Sequence, residues 1–193
     1  MSAPGRPRIY LAGPEVFLPE AREIGVTKAA LCAEAGFEGV FPLDQSLDLR
    51  GKTKLEQATL IQEADEGLMH SCALAIANLT PFRGVAMDSG TAYEVGFMRA
   101  LGRPVLGYTN IPGEYAARAR AWRIAAIGLP DADRPDAEIE DFGLTENLMI
   151  AIAIRASGGL VAEHAAPPGA EMTDLTAFKT CLAQAQRLNA KRC

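Results

Sequence analysis

Short, continuous apolar runs alternate along this chain with longer stretches whose apolar residues recur at helical spacing. Arg8-Ile9-Tyr10-Leu11-Ala12 is the first run, ended by Gly13-Pro14, and similar runs lie at 37–41, 73–79 and 104–108. Runs this short, without polar alternation, predict strands covered on both faces, as in a parallel sheet. Between them, 19–36 carries Ala21, Ile24, Ala29, Leu31 and Cys32 on one face and stops at Gly36. Residues 54–70 and 90–101 repeat the helical pattern, the second stopping at Gly102, where a C-terminal glycine belongs. Strand and helix in alternation predict an α/β fold with a doubly wound parallel sheet of about five strands.

Beyond residue 110 the pattern loosens. Residues 113–123 read as helix, 128–135 as a Pro/Asp-rich loop, and 139–143 as a short last strand. Thr145 is placed to cap a helix running to about residue 157. The glycine and proline pairs of 157–169 resemble a linker, and 173–187 is a final helix with Leu175, Phe178 and Leu182 in a stripe. The division expected is an α/β domain over 1–157, followed by a linker and C-terminal helix over 158–193. That tail belongs to the same domain or to an oligomer interface.

Composition narrows the function. The 193 residues are 49% hydrophobic and 22% charged, with net charge −5. A nucleic-acid polymer needs a basic stripe to neutralise phosphates, so that partner is excluded, whereas a single nucleoside or nucleotide is not. Cys32, Cys72, Cys181 and Cys193 form no CxxC pair, and His70 and His164 are the only histidines. Free thiols in a reducing compartment follow, with little material for a zinc site or a histidine triad. The N-terminus has no long apolar run, so neither a signal peptide nor a membrane span is expected and the location inferred is cytoplasmic.

Right-handed crossovers bring the loops after the strands to one sheet edge, where open α/β folds bind ligands. Those loops hold Gly13-Pro14-Glu15, Pro42-Leu43-Asp44-Gln45 and Thr80-Pro81-Phe82-Arg83-Gly84, and Asp88 and Glu94 flank the start of the 90–101 helix. Taken alone, each has an ordinary reading. Asp88 suits a helix N-cap, Glu94 a favourable acid in a helix's first turns, and Asp44 a turn. Tyr10 suits a core position, and Asp65, beside Glu63 and Glu66, a solvated acidic face.

The motifs IYLAGP, FPLD and ANLTPFRG…DSGTAYEVGFMRALGRPVLGYTN change that balance. Over roughly residues 8–150 the chain resembles the nucleoside 2-deoxyribosyltransferase family, with DSGTAYEVG the most specific element. The resemblance implies a flavodoxin-like fold with a C-terminal helical extension, and the exchange of nucleobases on deoxynucleosides through a covalent sugar ester. It makes Glu94 the nucleophile, with a carboxylate suited to an oxocarbenium-like transition state. Tyr10 would orient Glu94, and Asp65 would donate a proton to the leaving base.

Asp88 would bind the sugar 5′-hydroxyl and repel a 5′-phosphate, favouring nucleosides over nucleotides. Gly13 and Gly90 would let the sugar approach, Asp44 and Gln45 would meet the base edge, and Phe17 and Phe82 would stack on the base. Arg83 would close over the site. Glu140, Asp141 and Asn147 are candidates to complete a neighbour's pocket in a homo-oligomer, within 138–149. The reaction calls for no metal or cofactor. An N-glycosidase acting on nucleosides or their 5′-monophosphates, and a nucleotide-sensing module without turnover, are the alternatives.

Overall fold

The computed structural model describes residues 5–127 and 138–191. Strands β1 (Arg8–Ala12), β2 (Glu38–Val40), β3 (Leu74–Asn78), β4 (Val105–Thr109) and β5 (Val161–Glu163) form one sheet, all parallel, in the order β2-β1-β3-β4-β5. That is the flavodoxin-like order, with its switch point between β1 and β3. In register, Tyr10 pairs with Val40 on one side and Ala75 on the other. The predicted sheet is therefore present, and its carboxyl edge gathers the expected loops.

Alternation along β1 divides the core. Ile9 and Leu11 face α1 (Ala21–Glu34) and α6 (Thr176–Ala190), with Cys32, Tyr108 and Phe178 in the same cluster. Tyr10 and Ala12 face the other side, with Met69 of α2 (Lys54–Ser71) and Val95 and Met98 of α3 (Ser89–Ala100). Ile154 of α5 (Leu148–Ala156) joins that second cluster. Tyr10 thus points toward the face that carries Asp65 and Glu94.

The local signals act as read at most helix ends. Thr53 and Glu56 form a capping box at the start of α2, each satisfying the other's backbone N–H. The α1 and α3 helices run out at Gly36 and Gly102, where paired backbone bonds close the last turns in Schellman fashion. The predicted helix at 113–123 is α4 (Tyr115–Ile127). The expected loop over 128–135 and the thiol of Cys193 lie outside the described residues, while Cys32, Cys72 and Cys181 are free and buried. No helix among the described residues is long and apolar enough to cross a membrane.

Three expectations are corrected. The last strand is β5 at Val161–Glu163, inside the stretch read as a linker, and 139–143 forms no strand. Glu140 instead accepts hydrogen bonds from the Leu148 amide and the Asn147 side chain. The glycine pair hid β5 because Gly159 serves close packing: a Cβ there would lie 1.8 Å from the Val105 carbonyl oxygen. The cap of α5 is Asn147, whose Oδ1 accepts from Met149 N at 3.0 Å, while Thr145 donates to Glu163.

The C-terminal helix buries Ala177, Phe178, Cys181, Leu182 and Ala185 against β4 and β5. Burying one side chain such as Phe178 contributes roughly 1.5–3 kcal/mol.

Candidate active site

The carboxyl edge opens into a cavity of about 490 Å³ whose wall includes Gly13, Phe17, Gln45, Asp65, Asp88, Gly90 and Glu94. Each side chain arrives from a different element. Asp88 is the N-cap of α3: its Oδ2 accepts from the Thr91 amide at 3.1 Å. No hydrogen bond engages its other oxygen among the described residues. Glu94 follows on α3, and Asp65 comes from α2. Tyr10, fully buried at the centre of the sheet, donates its hydroxyl to Glu94 Oε1 at 2.5 Å.

Burial makes the carboxyls unusual. It raises Glu94 to about 8, with the charges of Asp65, Asp88 and Glu15 adding to the rise and the Tyr10 hydrogen bond opposing it. Burial also lifts Asp65 to about 6, and holds the Tyr10 hydroxyl far above the usual phenol range, so it serves as a proton-bearing donor. Two acids with separated proton affinities on the wall of one cavity suit nucleophilic attack paired with proton donation.

The raised Glu94 has a measurable cost. Its folded value lies above the ordinary 4.5, so the native state favours the neutral form. The stability this confers is full below about 4.5 and is lost as pH rises through about 8. Glu94→Gln keeps an acceptor for Tyr10 and carries no charge. The variant is expected to melt above the parent by roughly 10 °C or more at alkaline pH, with the gap closing toward acid. A melting difference that does not change with pH would remove this account of the site.

The other expected residues divide. Gln45 lines the cavity, and its buried Nε2 has no partner among the described residues. Asp44 is turned to its own backbone, accepting from Phe41 N at 2.8 Å, and is not part of the wall. Phe17 is exposed at the rim and stacks on Phe82, centroids 5.7 Å apart and 10° from parallel. Arg83 lays its guanidinium over both rings, 4.7 and 4.6 Å from their centroids. It does so from φ 57, the left-handed region that a non-glycine residue occupies at a cost. Asn147 stands apart from the wall, occupied with the α5 cap and Glu140.

Several functional neighbours escaped sequence reasoning. Val16, Leu43, Leu47, Leu49 and Ile61 form an apolar wall, and Arg22 adds a cation. Glu146 fixes the Asp88 loop by accepting from Met87 N at 3.0 Å, with Arg118 at 3.8 Å. Leu47 and Leu49 lie in an irregular segment with no periodic signal, while Arg22 and Ile61 sit on α1 and α2, whose periodicity does not tell a cavity-facing position from a solvent-facing one.

Comparison with known proteins adds the family. The nucleoside 2-deoxyribosyltransferase family model matches residues 9–149, close to the span over which the motifs resemble it. An uncharacterized protein of Schizosaccharomyces pombe, C191.05c, is 34% identical over 202 residues, covering 96% of this chain and 92% of its own. A 2-desoxiribosyltransferase from Leishmania mexicana is 29% identical with a TM-score of 0.57, covering 75% of this chain and 85% of that one. A conserved protein from Enterococcus faecalis V583 shares the fold at 18% identity and a TM-score of 0.57, over 94% and 99% of the two chains.

Proposed function

The chain belongs to the nucleoside 2-deoxyribosyltransferase family, whose members act on nucleoside N-glycosidic bonds. On that footing we propose that it exchanges nucleobases on 2′-deoxyribonucleosides through a deoxyribosyl ester on Glu94. The observation that carries the reading is the 2.5 Å hydrogen bond from Tyr10 to Glu94 at the cavity wall, with Asp65 and Asp88 lining the same space. Glu94 attacks C1 of the sugar as the C1–N bond breaks, and Asp65 gives its proton to the departing base. A second base then attacks C1, Glu94 leaves, and a proton returns to Asp65. Two displacements retain the configuration at C1.

Asp88 supports a nucleoside rather than a nucleotide. Its unengaged oxygen suits a 5′-hydroxyl, whereas a 5′-phosphate would meet a carboxylate at the helix N-terminus that could otherwise hold it. Gln45 Nε2 suits an acceptor on the base edge, and the apolar wall suits its ring. The reading includes a homo-oligomer in which 138–149 of one copy completes another's cavity, supported by the exposed Phe142 and Met149. Sedimentation as a monomer would remove that part.

One chromatographic assay tests the whole. A deoxynucleoside incubated with a second free base is expected to yield the exchanged nucleoside, with the 5′-monophosphate a poor donor. Sugar release indifferent to the added base would instead assign hydrolysis. Calorimetric binding without any product would assign a sensing role.

A further inference from the structure

Glu15 has no part in that chemistry, yet it is among the most constrained side chains in the molecule. It lies in a 3-10 turn (Pro14–Phe17) directly after β1 and is fully buried. Its Oε1 accepts three hydrogen bonds, from Lys28 Nζ at 2.5 Å, Asn78 Nδ2 at 2.8 Å and Tyr108 Oη at 2.8 Å. Its Oε2, equally buried, has no partner among the described residues.

The direction of that free oxygen is fixed by Gly13. A Cβ at Gly13 would lie 1.9 Å from Oε2, so the glycine is required by the carboxylate behind it. Its φ of 162 is ordinary extended backbone and makes no such demand. Gly13 is itself cavity wall. The Lys28 ammonium binds the other oxygen, Oε1, and lies 5.4 and 5.3 Å from the ring centroids of Tyr108 and Phe178, in the cluster between β1, α1 and α6. The pair is therefore an oriented dipole, its positive end sealed among aromatic rings and its unshared negative oxygen behind the cavity wall.

Stability alone is a weak reason for such a pair. Desolvating two charges costs several kcal/mol per ion, and apolar replacements of similar volume are often neutral or stabilising. A fixed dipole aimed at a place where positive charge develops has a use, because it needs no reorganisation when the charge appears.

We propose that Glu15 is a positioning residue for the reaction, directing negative potential through the Gly13 wall onto the sugar as it becomes cationic. The neutral nucleoside gains little from that potential and the oxocarbenium-like transition state gains more, so the effect falls on kcat rather than on KM. The inference rests on the reading given under Proposed function. Its electrostatic reach is supported by Glu94, whose proton affinity Glu15 helps to raise. The groups facing Glu94 are Tyr10 from β1, Asp65 from α2, Asp88 at the start of α3 and Glu15 from the turn. Those facing Glu15 are Lys28 from α1, Asn78 from β3 and Tyr108 from β4.

The test compares the parent with Glu15→Gln and with the double variant Glu15→Gln/Lys28→Met, each confirmed folded by thermal melting. The double variant leaves no unpaired ammonium, so it stays informative where the single variant fails to fold. In both, kcat for base exchange is expected to fall about tenfold with KM within about twofold. The limb of the pH profile near about 8, which follows Glu94, should move to lower pH, because one negative neighbour of Glu94 is gone. A structural role alone would not move that limb. Folded variants with the parent's kcat and an unmoved alkaline limb would overturn the proposal while leaving the exchange reading intact. A parent with no action on any nucleoside would overturn the exchange reading, and this inference with it.

Discussion

Replacing Glu94 with Ala is expected to lower base exchange by about ten-thousandfold or more while the protein stays folded. The size of the effect follows from what the carboxylate does twice. In the proposed mechanism it bonds to C1 as the first base departs and leaves as the second arrives, so both steps lose their partner. Without the ester, the sugar cation would have to survive until a base found it, in competition with water.

Folding should not suffer, because Glu94 contributes a buried carboxyl whose proton affinity burial has raised against its ordinary value. Mass spectrometry of the parent quenched during turnover should show a pentose adduct on the peptide holding Glu94, and the variant should show none. Glu94→Asp makes the complementary point. The shorter side chain withdraws from Tyr10, now 2.5 Å away, and a displacement of about 1 Å costs on the order of a hundredfold. Unchanged exchange in Glu94→Ala would end the covalent mechanism.

How much of this was legible in the sequence depends on which physical signal each residue leaves. Buried strands leave a strong one: β1, β3 and β4 are continuous apolar runs, and each stands where the pattern predicts it. β5 leaves almost none, since three residues after two glycines read as a linker until β4 is beside them. Asp88 was readable as a cap, Asn147 was not, and Thr145 was favoured in its place. The choice depended on Glu140, which holds the Asn147 side chain across the turn.

The site divides the same way. Glu94, Asp88, Asp65 and Tyr10 are marked by the motifs that resemble the family, since by pattern alone they read as first-turn acid, cap, solvated face and core, and the fold brings them together. The apolar wall of Leu43, Leu47 and Leu49 comes from an irregular segment where no period says which side faces the ligand. Glu15 illustrates a different limit. Its importance lies in Lys28, Asn78 and Tyr108, at separations of 13, 63 and 93 residues, and only the folded chain brings these together.

The second large effect concerns Asp65 and the pH profile. Burial holds Asp65 at about 6 and Glu94 at about 8, so between those values the two share a single proton. The proposed mechanism needs that proton on Asp65, for the departing base, and a free carboxylate on Glu94. The separation puts the proton mostly on Glu94, and roughly one molecule in a hundred carries the productive arrangement at any instant. Below the lower value both are protonated and no nucleophile remains; above the higher value neither can donate. The kcat/KM profile is therefore expected to be bell-shaped, with limbs near about 6 and about 8.

Asp65→Asn should separate the two roles. The alkaline limb disappears, because no donor is left to lose its proton, and the one remaining limb reports Glu94 itself, at a value below about 8 because a negative neighbour has gone. For ordinary bases the rate should fall by about a hundredfold to ten-thousandfold. A nucleoside whose base leaves readily as a stable anion needs no proton, so its rate should fall far less. Retention of the full rate, with the alkaline limb still in place, would take general-acid work away from Asp65 and return it to the solvated acidic face of α2.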